Sequence, residues 1–126
     1  HLRDYLAKSL PRLPGDDVPL TLYRAADRDG VEFQTDVGPI DILATGNGDF
    51  YVLELKLGRG PDVALGQVLR YMGWVKEHLA GEKNVFGVIV ASDIGKKLRY
   101  AATQVPNVRL MEYDLKVDLR PVRLSI

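Results

Sequence analysis

Asp41, Glu54 and Lys56 are the residues whose types and spacing could do chemistry. Glu54-Leu55-Lys56 falls in the run 50–57, whose alternating and aromatic composition predicts a strand. Residues two apart on a strand share a face, so Glu54 and Lys56 project together while Leu53, Leu55 and Leu57 project to the other side. Asp41 begins the preceding predicted strand, 40–44, and Gly46-Asn47-Gly48 between the two is turn chemistry. Such a hairpin brings Asp41 alongside the Glu54 end of its neighbour. Converging carboxylates repel unless a cation sits between them, and an all-oxygen site suits Mg²⁺ or Mn²⁺. A metal there would polarise a phosphoryl oxygen and lower the pKa of a bound water. Lys56 could orient that water or stabilise the charge that develops in the transition state. The set describes metal-assisted phosphodiester hydrolysis. On spacing alone, a surface Glu-Lys pair beside a turn aspartate reads equally well, because short motifs recur by chance.

The segment that follows, Gly58-Arg59-Gly60-Pro61-Asp62, opens a predicted helix that runs to about residue 80, with Pro61 suited to its first turn and Gly81 to its stop. Its apolar stripe is Leu65, Val68, Leu69, Met72, Val75 and Leu79. Gln67, Tyr71 and Trp74 share a face beside that stripe. Gln67 and Tyr71 facing the sheet edge could hydrogen-bond the water, Lys56 or a phosphate; as ordinary boundary residues of an amphipathic helix they need no such role. Trp74 could stack on a base, but core packing is the simpler reading of a lone tryptophan. Arg59 and Arg70 flank the hairpin and helix as candidate DNA phosphate contacts. Lys96-Lys97-x-Arg99-Tyr100 fits a solvated helical face better than a binding site.

These residues need a frame. A short first helix is expected over 1–10, then strands at 20–25 and 31–37 ahead of the hairpin. Val85-Phe86-Gly87-Val88-Ile89-Val90-Ala91 is nearly continuous in apolar residues, as in a central strand covered on both faces. Ser92-Asp93 could cap a helix over 95–104, followed by strands at 108–113 and 116–124. An antiparallel entry followed by β-α-β-α-β implies an α/β fold, a mixed β-sheet flanked by helices.

A length of 126 residues fits a single domain, 1–126. Lys plus Arg and Asp plus Glu each number 17, which excludes a polycation that binds nucleic acid by bulk charge but leaves room for a local basic groove. The absence of cysteine excludes a disulfide scaffold and a thiolate zinc site, and His1 and His78 alone exclude a multi-histidine site. No apolar run approaches the ~20 residues that span a bilayer, so a cytoplasmic location is expected.

Asp41 with Glu54-x-Lys56 on a hairpin, followed by Gln67-x-x-x-Tyr71 on a helix, resembles the PD-(D/E)XK nuclease superfamily and its RecB-like branch. The wording of 31–43, of Leu53-Glu54-Leu55-Lys56-Leu57-Gly58-Arg59-Gly60 and of Gly66-Gln67-Val68-Leu69-Arg70-Tyr71-Met72 resembles the C-terminal nuclease domain of the NucS/EndoMS endonucleases. The resemblance implies a restriction-endonuclease-like fold. It also implies a metal held by Asp41, Glu54 and the Leu55 carbonyl, a catalytic Lys56, and support from Gln67 and Tyr71. Glu32 matches a family glutamate and could join the acids, or be a solvated strand residue; Asp4 is expected to be exposed or capping. The implied function is a Mg²⁺ or Mn²⁺-dependent endodeoxyribonuclease that acts on branched, single-stranded or mismatched DNA in repair, with a homodimer allowed. Full NucS/EndoMS proteins carry an N-terminal domain for DNA binding and dimerisation, to which nothing in the 126 residues corresponds. The competing expectation is a non-catalytic DNA- or protein-binding module that retains the nuclease fold.

Overall fold

The Gly46-Asn47-Gly48-Asp49 sequence sets the central hairpin. Gly46 pairs with Asp49, and both residues between them have positive φ, 50° at Asn47 and 82° at Gly48. That is the two-residue turn whose twist matches paired strands, and asparagine followed by glycine tolerates it best. The computed structural model describes residues 2–10, 17–56 and 63–125. In it the hairpin joins β3 (Gly38–Gly46) to β4 (Asp49–Lys56) at the middle of a six-stranded mixed sheet. On one side, β1 (Thr21–Leu22) and β2 (Val31–Thr35) both pair antiparallel with β3. On the other, β5 (Val85–Ala91) runs parallel to β4, and β6 (Val108–Glu112) parallel to β5.

Parallel neighbours require crossovers, and helices supply them. The first is α2 (Ala64–Val75), continued by a π-helical turn over Lys76–Ala80 that ends at Gly81, φ 57°. The second is α3 (Lys96–Thr103). Both pack on one face, where Val68, Tyr71 and Val75 of α2 and Leu98 of α3 meet Phe33, Leu43, Val52 and Ile89. The other face buries Ile42, Ala44, Tyr51, Leu53, Leu55, Val88 and Val90 against Val18, Leu20 and residues of α1 (Leu2–Lys8). β5 is therefore covered on both faces, which is why its apolar run lacks alternation. At its centre Gly87 lets α2 approach: a Cβ there would lie 2.6 Å from Met72 Sδ and 3.0 Å from Val68 Cγ2.

Four expectations are corrected. Leu69 is exposed and Tyr71 takes its place in the buried stripe, because α2 turns Ala64, Val68, Tyr71 and Val75 inward. Ser92-Asp93 do not cap α3, whose N-cap position is Gly95 with no side-chain hydrogen bond. The strand expected at 20–25 shortens to two residues, with an isolated bridge from Arg24 to Asp29 beyond it. No strand forms over 116–124, where every residue is exposed. Leu57, Pro61 and the opening of the expected long helix lie outside the described residues. Among the described residues no helix is long and apolar enough to cross a membrane.

Candidate active site

The site lies at the carboxyl end of β4, on the sheet face covered by α2. Val52, two residues before Glu54, packs against α2, whereas Leu53 and Leu55 belong to the opposite core. Glu54 and Lys56 thus share the α2 face, as strand alternation requires. Their side chains approach to 3.6 Å, between Lys56 Nζ and Glu54 Oε1. Gln67, from α2, receives a hydrogen bond from Lys56 Nζ at 2.6 Å.

Asp41 arrives by a break in β3. Pairing with β4 runs from Gly46↔Asp49 to Ile42↔Leu53 and stops just short of Asp41 and Glu54. Past that point Asp41 Oδ2 itself accepts the Leu55 backbone N–H, at 2.8 Å. Alternation shifts there too. Ile40 packs on the α2 face and Ile42 on the α1 face, although residues two apart on a regular strand share one. The shift falls opposite Glu32, which takes a positive φ of 48° between the pairs Val31↔Ile42 and Phe33↔Ile40.

The electrostatics follow from burial. Glu54 is 7% exposed, and its Oε2 is buried with no hydrogen-bond partner. Burial, then the charge of Asp41, pushes its carboxyl up from 4.5 to about 7, with Lys56 pulling the other way. The two carboxyls can hydrogen-bond each other only when one holds a proton. Tyr71, also buried, has its hydroxyl pKa raised by burial and then by the Glu54 and Asp41 charges, with Arg70 opposing. Its hydroxyl lies against the start of β3, where a Cβ on Gly38 (φ 118°) would be 2.9 Å from the Tyr71 oxygen.

Asp41, Glu54, Lys56, Gln67 and Tyr71 therefore converge. Glu32 does not join them. Its carboxylate lies on the α1 side, 3.2 Å from Arg3 Nη1. Among the described residues no group of three or more Asp, Glu, His or Cys could hold a metal. Two carboxyl groups meet here, and a buried oxygen without a donor beside a second carboxylate is a set of oxygens that fits a hard cation. Arg70 is exposed on α2 and close enough to oppose the shift at Tyr71; Arg59 lies outside the described residues. Trp74 donates its ring N–H to Asp36 and packs edge-on to Phe33, with 6.1 Å between ring centres, so it closes the core rather than offering a free face. Lys96, Lys97 and Arg99 are exposed, and Asp4 is exposed and 3.7 Å from Arg3. Gly38 is the contributor that residue spacing did not single out; the sequence marks it only as a turn residue.

The family model described as the endonuclease NucS C-terminal domain matches residues 23–121. The chain belongs to this family. The NucS C-terminal domain assignment agrees with the PD-(D/E)XK resemblance of its sequence and with its mixed sheet. Among solved structures, a repair endonuclease from Pyrococcus abyssi superposes with a TM-score of 0.63 at 20% identity, over 88% of this chain and 45% of that one. An EndoMS protein solved in complex with double-stranded DNA superposes with a TM-score of 0.67 at 15% identity, over 91% of this chain and 44% of that one. This NucS C-terminal domain thus spans less than half the length of either structure. No curated protein matches it.

Proposed function

We propose that this domain hydrolyses DNA phosphodiester bonds as a Mg²⁺ or Mn²⁺-dependent endonuclease, with branched, single-stranded or mismatched DNA as its substrates. One observation carries the reading. Two carboxylates, one with an unpartnered buried oxygen, meet a lysine that is anchored by an amide at the carboxyl end of a parallel strand, where open α/β sheets place their ligands.

Asp41 and Glu54 would hold the ion, with the Leu55 carbonyl as a third protein ligand. When bound, it would supply Lewis-acid polarisation of the phosphoryl group and a water acidic enough to attack at neutral pH. Gln67 keeps Lys56 Nζ in place through its side-chain oxygen, and of the other two donors of the ammonium one faces Glu54 and one would serve the attacking water or a phosphate oxygen. Tyr71, its hydroxyl pKa raised, remains a protonated donor at the rim beside Gly38. Arg70 and Arg59 would take phosphates flanking the scissile one, and a homodimer would supply a second site for the opposite strand.

The test is cleavage of single-stranded, flap and mismatched DNA with Mn²⁺ or with chelator, comparing wild type, Asp41→Asn and Lys56→Met. Cutting is expected only with metal and only in wild type. Metal-dependent cutting that persists in both variants would place the chemistry elsewhere. Failure to bind Mn²⁺ in a calorimetric titration would favour a non-catalytic binding module.

A further inference from the structure

The segment that follows β6 is built like a strand, but among the described residues no strand lies beside it. Residues 114–125 lie outside any helix or strand, and all are exposed. Leu115, Val117 and Leu119 are 75%, 81% and 91% exposed, a degree of apolar exposure that a lone domain has no reason to maintain. Asp114, Lys116, Asp118 and Arg120 alternate with them, so in an extended conformation one face is apolar and the other charged. Pro121 then removes a backbone donor and ends the run.

The order of the charges selects a partner. We propose that residues 114–120 pair antiparallel with the same residues of a second copy of this chain, about a two-fold axis at Val117. In that register Asp114 faces Arg120 and Lys116 faces Asp118, each twice by symmetry, while Leu115 faces Leu119 and Val117 faces itself. The neighbouring registers fail. Centring on Lys116 sets Asp114 against Asp118, and centring on Asp118 sets Lys116 against Arg120. A centre at Leu115 opposes Glu112 to Asp118, and one at Leu119 forces Pro121 into the pairing opposite Val117. A groove on the same segment agrees with the choice. Leu115 lines it together with Leu2, Tyr5 and Leu6 of α1, and Tyr5 is 66% exposed. The register brings the partner's Leu119 beside Leu115, at the mouth of that groove.

Because the chain has no cysteine, single introduced thiols report the register directly. Under mild oxidation, Val117→Cys should cross-link to a dimer. Leu115→Cys alone should not, since two copies of residue 115 lie four residues apart along the pair, whereas a mixture of Leu115→Cys and Leu119→Cys proteins should. In sedimentation across a dilution series, Lys116→Asp should weaken the dimer by about tenfold or more, because two favourable cross-strand pairs become repulsive. Adding Asp118→Lys should restore it. A wild-type chain that stays monomeric throughout would overturn the proposal, as would a dimer indifferent to Lys116→Asp or cross-linking as ready at 115 as at 117.

Discussion

Replacing Glu54 by glutamine should make the metal-free protein more stable at alkaline pH, although it removes a proposed metal ligand. The folded state raises this carboxyl from 4.5 to about 7, first by burial and then by the charge of Asp41. Between those values the native protein holds a proton that the unfolded chain has released. Stability therefore falls as pH rises through the window and stays low above it. At about 1.4 kcal/mol per pKa unit, the ionised Glu54 costs the fold on the order of 3 kcal/mol above pH 7. Glutamine keeps the volume and escapes that cost, while giving up the 3.6 Å approach to Lys56. A net gain of about 2 kcal/mol at pH 8, or a rise of about 8 °C in Tm, is expected for a chain of this size. The gain should vanish as the pH falls well below 4.5, where the carboxyl is largely protonated in both states. The assay is thermal and denaturant unfolding in chelator over a pH series. Equal or lower stability of Glu54→Gln at pH 8, with a pH slope matching wild type, would refute the reasoning. In wild type alone, Mn²⁺ should stabilise more at pH 8 than at pH 5.5, since metal and proton compete for the same oxygens.

Gln67→Leu removes the acceptor that holds Lys56 Nζ at 2.6 Å. Single-turnover cleavage should slow on the order of 100-fold with little change in Tm, as expected when a reacting group loses its placement and nothing else. Gly38→Ala puts a Cβ 2.9 Å from the Tyr71 hydroxyl at a φ of 118°. It should cost about 1–3 kcal/mol in denaturant unfolding, with Tyr71→Phe in the same chain recovering the crowding but not the backbone strain.

Much of this fold is written in local pattern. β5 is visible as an unbroken apolar run because it is covered twice, and the Asn47-Gly48 turn fixes the β3–β4 register without tertiary help. The shared face of Glu54 and Lys56 follows from spacing alone. Other features depend on partners distant in sequence. Glu32 is level with Asp41, yet its carboxylate is on the α1 side beside Arg3, an outcome governed by a shift in strand alternation that no short window records. Tyr71 rather than Leu69 faces inward because Ala64 and Val68 set the roll of α2 on the sheet, and Gly87 lets it come close. The period-two pattern of 114–120 is a true strand pattern, but a ladder needs a neighbour, and none of the described strands provides one.

The bond from the Leu55 N–H to Asp41 Oδ2 bears on how relatives are read. Asp41 closes the β3–β4 ladder where backbone pairing has ended, so losing it would leave a partly buried amide without an acceptor, at about 1–3 kcal/mol. A lineage that gave up DNA cleavage would still be selected to keep an acceptor at this position. Lys56 closes no ladder in this way, and its anchor Gln67 is itself a side chain. On the proposed mechanism the lysine is therefore the better witness: its loss would mark a descendant that has stopped cutting, whereas an aspartate at 41 testifies only to an intact sheet.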